Sequence, residues 1–476
     1  MTNSARTFTR GVLAIGGLGY LMVLVTALVV MHLPPDIVLA LTLGGILLVV
    51  VALRPYVGVQ VFVFLLFFEN VFEAREGLTP MKILGGIILG GWLLSLMARR
   101  QTGVRITLAV LAVVAFVVWN GICLMYAIDL ETGVTRMFTF VQLAMAALMF
   151  ASVVNTSTRL RGVCLAFVVW TCLATVIAIA QYYMGLTSMA VGPVGNRNLL
   201  ALYINVAIVC AYMLHEITRD GRWRFSLLAS LPLLFLGLAL TFSRAGLIIM
   251  FVILLLVLWR VARRRSVLVL VGSAAVLCLM PFVFPSEFYE RARSIVPAIQ
   301  RQEDTFGTRV RLWRVAARMA QDRPIFGVGP GNFVAAYPRY ARGGEMMTRD
   351  YVTHNAYFGI LAETGIPGLL LFLAIGASVL VEVQRTIRAA REAGHPDLEM
   401  LAVAVEISVI AMLVASLSGN TEGLKLLWIN AGMAMGLSRL RGAVGPIHSV
   451  AQASIANRVK DLTAAAHAGP LLSGKG

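Results

Sequence analysis

Four polar segments of this sequence carry the residues that could do chemistry, and each contains an arginine or a histidine. They are residues 194–198, 241–246, 307–333 and 353–357. Arg244 lies between two apolar runs, a placement that requires its guanidinium to reach the interface, pair, or bind an anion. Arg244 is therefore either an interfacial anchor or a clamp for phosphate, whose oxygens a guanidinium fork matches bidentately. Arg197, flanked by Asn196 and Asn198, has the same two interpretations.

His354 is the one histidine of six that falls in these segments. Thr353 is a candidate N-cap for the helix that follows, and Asn355 lies beside it. The positive end of a helix dipole disfavours imidazolium, so His354 would be neutral near pH 7 and able to accept a proton. The alternative is a histidine that only caps the helix or bonds a backbone carbonyl.

Residues 307–321 have the spacing of an amphipathic helix. Arg309 and Trp313 are four residues apart and share a face. Three further arginines form a second stripe: Arg311, Arg314 and Arg318. A basic helix with a tryptophan is typical of a segment that lies on lipid headgroups. The second stripe is interpreted as a solvated or lipid-facing surface, with further phosphate ligands as the alternative.

A metal site is not indicated, because the carboxylates and cysteines lack ligand spacing. The five cysteines fall inside apolar runs and are interpreted as small core hydrophobes. Glycines at 327, 329 and 331 give only a weak phosphate-loop pattern, since no helix with a suitable Lys or Ser follows. An arginine-rich site with one histidine suits an anionic donor whose leaving group is neutralised by guanidinium groups. No cofactor is expected.

Apolar helices must position these residues. The chain is 59% hydrophobic and only 13% charged, which is a membrane-protein composition rather than that of a soluble domain. The net charge of +17 is divided among short clusters between apolar runs. Such clusters set topology and touch anionic membrane lipids, so nucleic acid is not an expected partner.

Apolar runs long enough to span a bilayer recur along most of the chain. They are residues 11–33, 36–53, 56–72, 80–98, 106–127, 136–154, 162–184, 197–215, 226–242, 245–260, 266–284, 355–380, 399–417 and 422–438. With a cytoplasmic N-terminus, the arginine clusters fall on the cytoplasmic side at every crossing, which is the positive-inside pattern. Both termini are then cytoplasmic, and the four polar segments share the periplasmic face.

The predicted fold is an all-α polytopic protein of the bacterial inner membrane, with about twelve to fourteen transmembrane helices. One long periplasmic loop interrupts them and contains short helices. The predicted divisions are transmembrane helices over 1–284, the periplasmic loop with its amphipathic helix over 285–353, C-terminal transmembrane helices over 354–445, and a flexible cytoplasmic tail over 446–476.

In chain order, the polar segments resemble the O-antigen ligase and O-antigen polymerase superfamily of bacterial membrane glycosyltransferases. The resemblance covers roughly residues 195–368. The matching pieces are 195–198, 243–246, Arg309 with Trp313, 324 with 327–333, 354–357 and 363–365. Each piece is short, and it is their order around one long outer loop that is specific.

The resemblance implies a GT-C-like membrane fold and a metal-independent, inverting glycosyltransferase. The donor would be a glycan linked to undecaprenyl pyrophosphate, and the acceptor would be lipid A core, as in lipopolysaccharide biosynthesis. Arg244 and Arg309, with Arg311 beside them, would bind the donor pyrophosphate, and His354 would be the base that activates the acceptor hydroxyl. The supporting residues would be Asn196, Arg197, Asn198, Trp313 and Asn355.

Two other functions are compatible with parts of this pattern. An O-antigen or exopolysaccharide polymerase would use the same donor and add it to a second lipid-linked glycan. A transporter would place ionisable residues near the bilayer midplane on interrupted helices, often with internal repeats. One-sided polar segments without a visible repeat favour the transferase over the transporter.

Overall fold

The computed structural model describes residues 35–68, 80–98, 103–260, 305–345 and 352–443. The described residues form fourteen helices and no strand. The predicted spans at 11–33 and 266–284 and the predicted tail at 446–476 lie outside the described residues. The all-α fold is confirmed.

The helices, numbered in chain order, are α1 (Pro35–Leu53), α2 (Pro55–Phe68), α3 (Pro80–Met97), α4 (Leu108–Cys123), α5 (Leu130–Val153), α6 (Ser157–Tyr183), α7 (Arg197–Ile217), α8 (Gly221–Leu240), α9 (244–260), α10 (Thr305–Asp322), α11 (Phe333–Tyr340), α12 (Ala356–Glu392), α13 (Pro396–Ala415) and α14 (Lys425–Ala443). The predicted division of residues 226–260 into two helices is confirmed, because α8 ends at Leu240 and α9 begins three residues after Thr241.

Seven of the described helices are long and apolar enough to cross a membrane: α4 with the turn that follows it, α5, α6, α7, α8, α12 and α13. Three shorter apolar helices precede them at the N-terminal end. The chain is therefore a polytopic membrane protein, as its composition indicates. The count of twelve to fourteen crossings stays a prediction.

The chain divides into two compact units. Of the described residues, the first contains 35–58 and 80–98, and within it α1 and α3 pack closely. A Cβ atom built on Gly91 of α3 would lie 2.8 Å from the Cβ of Val51 of α1, so this approach requires glycine. Of the described residues, the second unit contains 59–68, 103–260, 305–345 and 352–443, and all four polar segments lie in it.

In the second unit, α7 and α13 are central and are buried on nearly every side. Around them, α4 packs on α12 and α5 packs on α14. An aromatic cluster lies where these four outer helices meet. Phe116 is edge-on to Phe140 with ring centroids 5.3 Å apart, and it also contacts Phe372 and Trp428 at 6.0 and 6.2 Å.

The predicted amphipathic helix at 307–321 is confirmed as α10. Its apolar face forms a small core with α11 and α12 that includes Leu312, Val315 and Met319. The expectation of a solvated arginine stripe is wrong for Arg318. Its Nε donates to the carbonyl of Tyr340 at 2.9 Å and its Nη2 forms an ion pair with Glu345, so it ties α10 to α11.

The long helix α12 is broken at Gly365, whose φ of 70° and ψ of −170° are not helical. Residues 324–333 dock onto this break. The N–H of Val328 donates to the carbonyl of Ala362 at 2.9 Å, and the N–H of Gly329 donates to the carbonyl of Glu363, also at 2.9 Å. The weak phosphate-loop pattern in this segment is therefore a structural brace, because the N–H groups of Val328, Gly329 and Gly331 donate to residues 362 and 363 of α12.

Candidate functional site

The polar residues at 194–198 form the start of α7. Gly195 has a φ of 69°, the left-handed conformation that ends the short 3₁₀ turn before it. Asn196 is the N-cap, and its Oδ1 accepts hydrogen bonds from the N–H groups of Asn198 and Leu199 at 2.9 and 3.2 Å. Asn196 is thus explained by helix capping. Arg197 follows it as the first residue of α7.

The start of α9 lies against the start of α7. Ser243 accepts a hydrogen bond from the N–H of Gly246 at 3.1 Å, and its hydroxyl donates to Oδ1 of Asn198 at 2.8 Å. A Cβ atom on Gly246 would lie only 2.6 Å from that of Ala201, so glycine allows the two helices to touch here. A hydrogen bond therefore joins the polar segments 194–198 and 241–246, and Arg244 begins α9 beside it.

His354 immediately precedes the N-cap of α12. The predicted cap, Thr353, is wrong: Oδ1 of Asn355 accepts the N–H groups of Tyr357 and Phe358 at 3.0 and 3.1 Å. His354 has a φ of 49°, in the left-handed region. Asn355 therefore has a structural role at this helix start, and His354 is held in an unusual backbone conformation just outside it.

Trp313 connects α10 to the histidine loop. Its Nε1 donates to the carbonyl of Thr353 at 3.0 Å, and its ring stacks on Phe358 with centroids 5.5 Å apart and planes 7° apart. Arg309 lies one helical turn earlier and is close enough to His354 to affect its titration. The prediction that Arg309 and Trp313 share a face of one helix is confirmed.

Arg197, Arg244 and Arg309, together called the cationic cluster, are brought together by the fold. Burial lowers the pKa of Arg309, and the charges of Arg197 and Arg244 lower it further. Its Nε is buried without a hydrogen-bond partner among the described residues. Burial is the larger of these causes, and the charged groups that add to it are both cations.

His354 lies at the edge of the cationic cluster. Burial lowers its pKa, and the charge of Arg309 lowers it further. Both effects disfavour the imidazolium form, so the ring is neutral at pH 7 and can accept a proton. No hydrogen bond joins the imidazole to another side chain within the described part of the chain.

Strained backbone marks the same region. Among the described residues, Phe242 and His354 are the two non-glycine residues with positive φ, at 48° and 49°. Phe242 stands two residues before Arg244, at the start of α9. Left-handed conformations of such residues cost about 1–3 kcal/mol and tend to occur at functional sites, because packing around the site must hold them in place.

Arg311 is turned away from the cationic cluster. Two residues on an α-helix are separated by about 200°, so Arg311 and Arg309 face nearly opposite directions. The Nη2 of Arg311 donates to Oγ1 of Thr308 at 3.2 Å, and its charge acts on Tyr337 of α11. Arg314 is exposed. The structure therefore does not bring Arg311 to the other predicted phosphate ligands.

Sequence patterns did not single out Asn420, which lies in the turn between α13 and α14. Its Nδ2 donates to Oγ1 of Thr353 at 3.1 Å and lies 3.5 Å from Oε1 of Glu422. Glu422 forms an ion pair with Arg136 at 2.5 Å. Only the position of this turn on the same face as the four polar segments could have drawn attention to it.

Within the described residues, no three histidine, cysteine, aspartate or glutamate side chains gather as ligands for a metal ion. The polar groups at the site are guanidinium groups and one imidazole, and α7, α9 and α12 begin beside them. Such a set can bind an anion of high charge and accept one proton beside it.

Comparison with known protein families gives one match. Residues 228–373 match the family model described as O-antigen ligase. The matched segment contains Arg244, Arg309, Trp313 and His354, but not Arg197. A search of curated proteins found no match. The match confirms the similarity to the O-antigen ligase and polymerase superfamily and supports glycan transfer of that general type.

Proposed function

We propose that this membrane protein transfers a glycan from undecaprenyl pyrophosphate to an acceptor hydroxyl at the periplasmic face of the inner membrane. Among the reactions of this type, we assign it O-antigen ligation to lipid A core, a step of lipopolysaccharide biosynthesis. The observation that carries the proposal is the cationic cluster at the starts of α7 and α9, with a neutral His354 at its edge.

The cationic cluster suits a pyrophosphate. A strongly charged anion between the three guanidinium groups would be attracted by all of them and would reduce their mutual repulsion. The starts of α7, α9 and α12 add the positive ends of three helix dipoles, which also favour an anion. A lipid-linked pyrophosphate carries several negative charges at the depth of the headgroups, and each guanidinium can hold two of its oxygens.

The chemistry follows from this arrangement. The acceptor hydroxyl loses its proton to the neutral imidazole of His354 as its oxygen attacks the anomeric carbon. The bond between that carbon and the pyrophosphate oxygen breaks, and Arg244 and Arg309 stabilise the negative charge on the leaving group. Attack opposite the leaving group inverts the anomeric centre. The proton on His354 then passes to solvent, which restores the base.

The orientation is supported by where the other arginines lie. Several helix ends remote from the cationic cluster carry arginines that join neighbouring helices. The Nη2 of Arg161 donates to Oγ1 of Thr218 at 2.9 Å, and Nη1 of Arg105 donates to the carbonyl of Ser438 at 3.0 Å. Arginine-rich loops stay on the cytoplasmic side, so the cationic cluster faces the periplasm.

Reconstitution tests the reaction and separates the ligase from a polymerase. Purified protein in nanodiscs would receive undecaprenyl-pyrophosphate-linked glycan, with and without lipid A core, in the presence of a chelator. Glycan on lipid A core supports ligation. Longer glycan that remains on undecaprenyl pyrophosphate, formed without lipid A core, makes the protein a polymerase with the same donor site. Activity that is lost with chelator and restored by a divalent cation contradicts metal independence.

Variants test the residues. His354→Ala should lower kcat by about 10²- to 10⁴-fold, the range for loss of a general base. Arg244→Lys and Arg309→Lys keep the charge but lose the fork, and each should lower kcat/KM by about 10²-fold or more. Arg314→Lys on the exposed side of α10 is the matched control and should be near normal. Normal turnover of His354→Ala removes it as the base.

A further inference from the structure

The peptide that carries His354 is fixed on both sides by hydrogen bonds. On the C-terminal side, Nδ2 of Asn355 donates to the carbonyl of Leu417 at 3.1 Å. The next N–H, of Ala356, donates to the carbonyls of Ser416 and Gly419 at 2.9 and 3.1 Å. The start of α12 is therefore tied to the end of α13.

On the N-terminal side, Thr353 is buried and every polar atom of its side chain is used. Its Oγ1 donates to the carbonyl of Asn355 at 2.9 Å, which closes a tight loop around His354. The same Oγ1 accepts from Nδ2 of Asn420 at 3.1 Å, and the carbonyl of Thr353 accepts from Trp313 at 3.0 Å.

This arrangement orients His354 through its backbone. A histidine base is usually oriented by a carboxylate or carbonyl on its second ring nitrogen. Within the described part of the chain no side chain bonds to this ring. The left-handed φ of 49° instead sets the direction in which the side chain leaves the backbone, and a free loop would leave this conformation. Contacts that hold Thr353 therefore hold the ring beside Arg309.

We propose that Asn420 and Thr353 are positioning residues for the reaction, which hold His354 in its left-handed conformation and so keep the imidazole beside the donor site. This proposal rests on the proposed function. Asn420 reaches the loop from the turn between α13 and α14, and Glu422 in the same turn is anchored by Arg136. The Trp313 side chain is the second restraint, from α10.

Matched substitutions at Thr353 provide the test. Thr353→Val keeps the shape and removes the hydroxyl, whereas Thr353→Ser keeps the hydroxyl. A displacement of about 1 Å at a reacting group can cost about 10²-fold in rate. We expect Thr353→Val to lower kcat by about 10- to 100-fold with the KM for the lipid-linked donor unchanged, and Thr353→Ser to restore most of it.

Asn420→Ala should give the same kcat loss with unchanged donor KM. Its control is Asn430→Ala, which removes a buried amide that bonds only the carbonyl of Leu426 in its own helix. Normal kcat in Thr353→Val and Asn420→Ala would overturn the proposal, as would a rise in donor KM without loss of kcat. If Thr353→Val does not fold, Trp313→Phe keeps an aromatic ring at that position, removes the Nε1 bond to Thr353, and should also lower kcat.

The proposal and the function on which it rests fail differently. If His354→Ala retains full turnover, then His354 is not the base and the proposed mechanism fails. If His354→Ala is inactive while Thr353→Val and Asn420→Ala turn over normally, the mechanism stands and only the positioning role fails. Thermal unfolding of each variant in the same detergent separates a loss of folded protein from a loss of kcat.

Discussion

Replacing Gly365 by alanine should destabilise the protein and misalign α10 with α12. Gly365 forms the break in α12, with a φ of 70° and a ψ of −170°. A Cβ atom there would lie 2.2 Å from the carbonyl oxygen of Ile325 and 2.6 Å from that of Pro324. Both are backbone atoms of the segment that follows α10, so they cannot rotate away as a side chain would.

Two effects lower the free energy of unfolding in Gly365→Ala. The backbone conformation of Gly365 is open almost solely to glycine and costs about 1–3 kcal/mol for alanine. Relieving the clash must also loosen the hydrogen bond from the N–H of Ile366 to the carbonyl of Pro324, 2.8 Å long, which contributes about 0.5–1.5 kcal/mol. Alanine restricts the unfolded chain and offsets about 0.4–1 kcal/mol of this. The net loss is about 0.5–4 kcal/mol.

Gly185 provides a matched control. Its φ is 71°, nearly that of Gly365, but no atom lies within 4 Å of where its Cβ would be. Gly185→Ala therefore incurs only the left-handed backbone cost of about 1–2 kcal/mol, less the same unfolded-state offset. Both variants would be compared by thermal unfolding in one detergent at one scan rate, with kcat measured below the transition.

We expect Gly365→Ala to unfold at a clearly lower temperature than Gly185→Ala and to lose turnover. Turnover should fall because the segment after α10 sets the position of Arg309 relative to His354. Equal unfolding temperatures for the two variants would show that steric contact with the 324–326 backbone does not hold the break, and would refute the reasoning.

Three further predictions follow from named contacts. Burial and a neighbouring guanidinium lower the pKa of His354, so the neutral base persists below the ordinary histidine pKa. As the pH is lowered, kcat/KM should therefore fall only below about pH 6.5. A fall of kcat/KM that begins at higher pH would contradict this. Ser243→Ala removes the N-cap of α9 and should lower the free energy of unfolding in denaturant by about 1–2 kcal/mol, whereas Ser243→Thr keeps the hydroxyl and should keep most of the stability. Equal denaturation midpoints for Ser243→Ala and the wild type would show that this cap does not stabilise the protein. Arg318→Ala breaks the half-buried ion pair with Glu345 and should lower the free energy of unfolding by about 1–3 kcal/mol in the same measurement. Arg314→Ala, at an exposed position, should change it by no more than about 0.5 kcal/mol. Comparable losses in the two variants would mean that the ion pair is not the source of the stability.

Local patterns in the sequence were sufficient for several parts of the site. The spacing of Arg309 and Trp313 fixes them on one face of an amphipathic helix, since helical periodicity needs no tertiary information. Alternation of apolar runs and arginine clusters likewise places Arg197, Arg244 and His354 at one end of the helices. These predictions succeed because each depends on a repeat or on a topology rule.

Other parts depend on contacts between distant residues, and sequence could not supply them. Thr353 and Asn355 are both good capping residues, and the choice of Asn355 follows from Thr353 being engaged by Asn420 and Trp313. The side of α10 that Arg311 faces is decided by the packing of α11. Patterns that involve only neighbouring positions cannot predict which residue caps α12 or which way Arg311 faces.

The placement of Arg197 and Arg244 is unfavourable for the helices that carry them, and this favours a ligand. Each is the first residue of its helix, where a cation opposes the dipole at a cost of about 0.3–1 kcal/mol and where an acidic residue would stabilise. Helix stability alone therefore does not explain two arginines at two adjoining helix starts, with Arg309 facing both. A bound anion offsets these unfavourable terms, because it is attracted by the guanidinium groups and by the helix dipoles together. The positive ends of the α7, α9 and α12 dipoles lie together beside His354, so their attraction for an anion adds there.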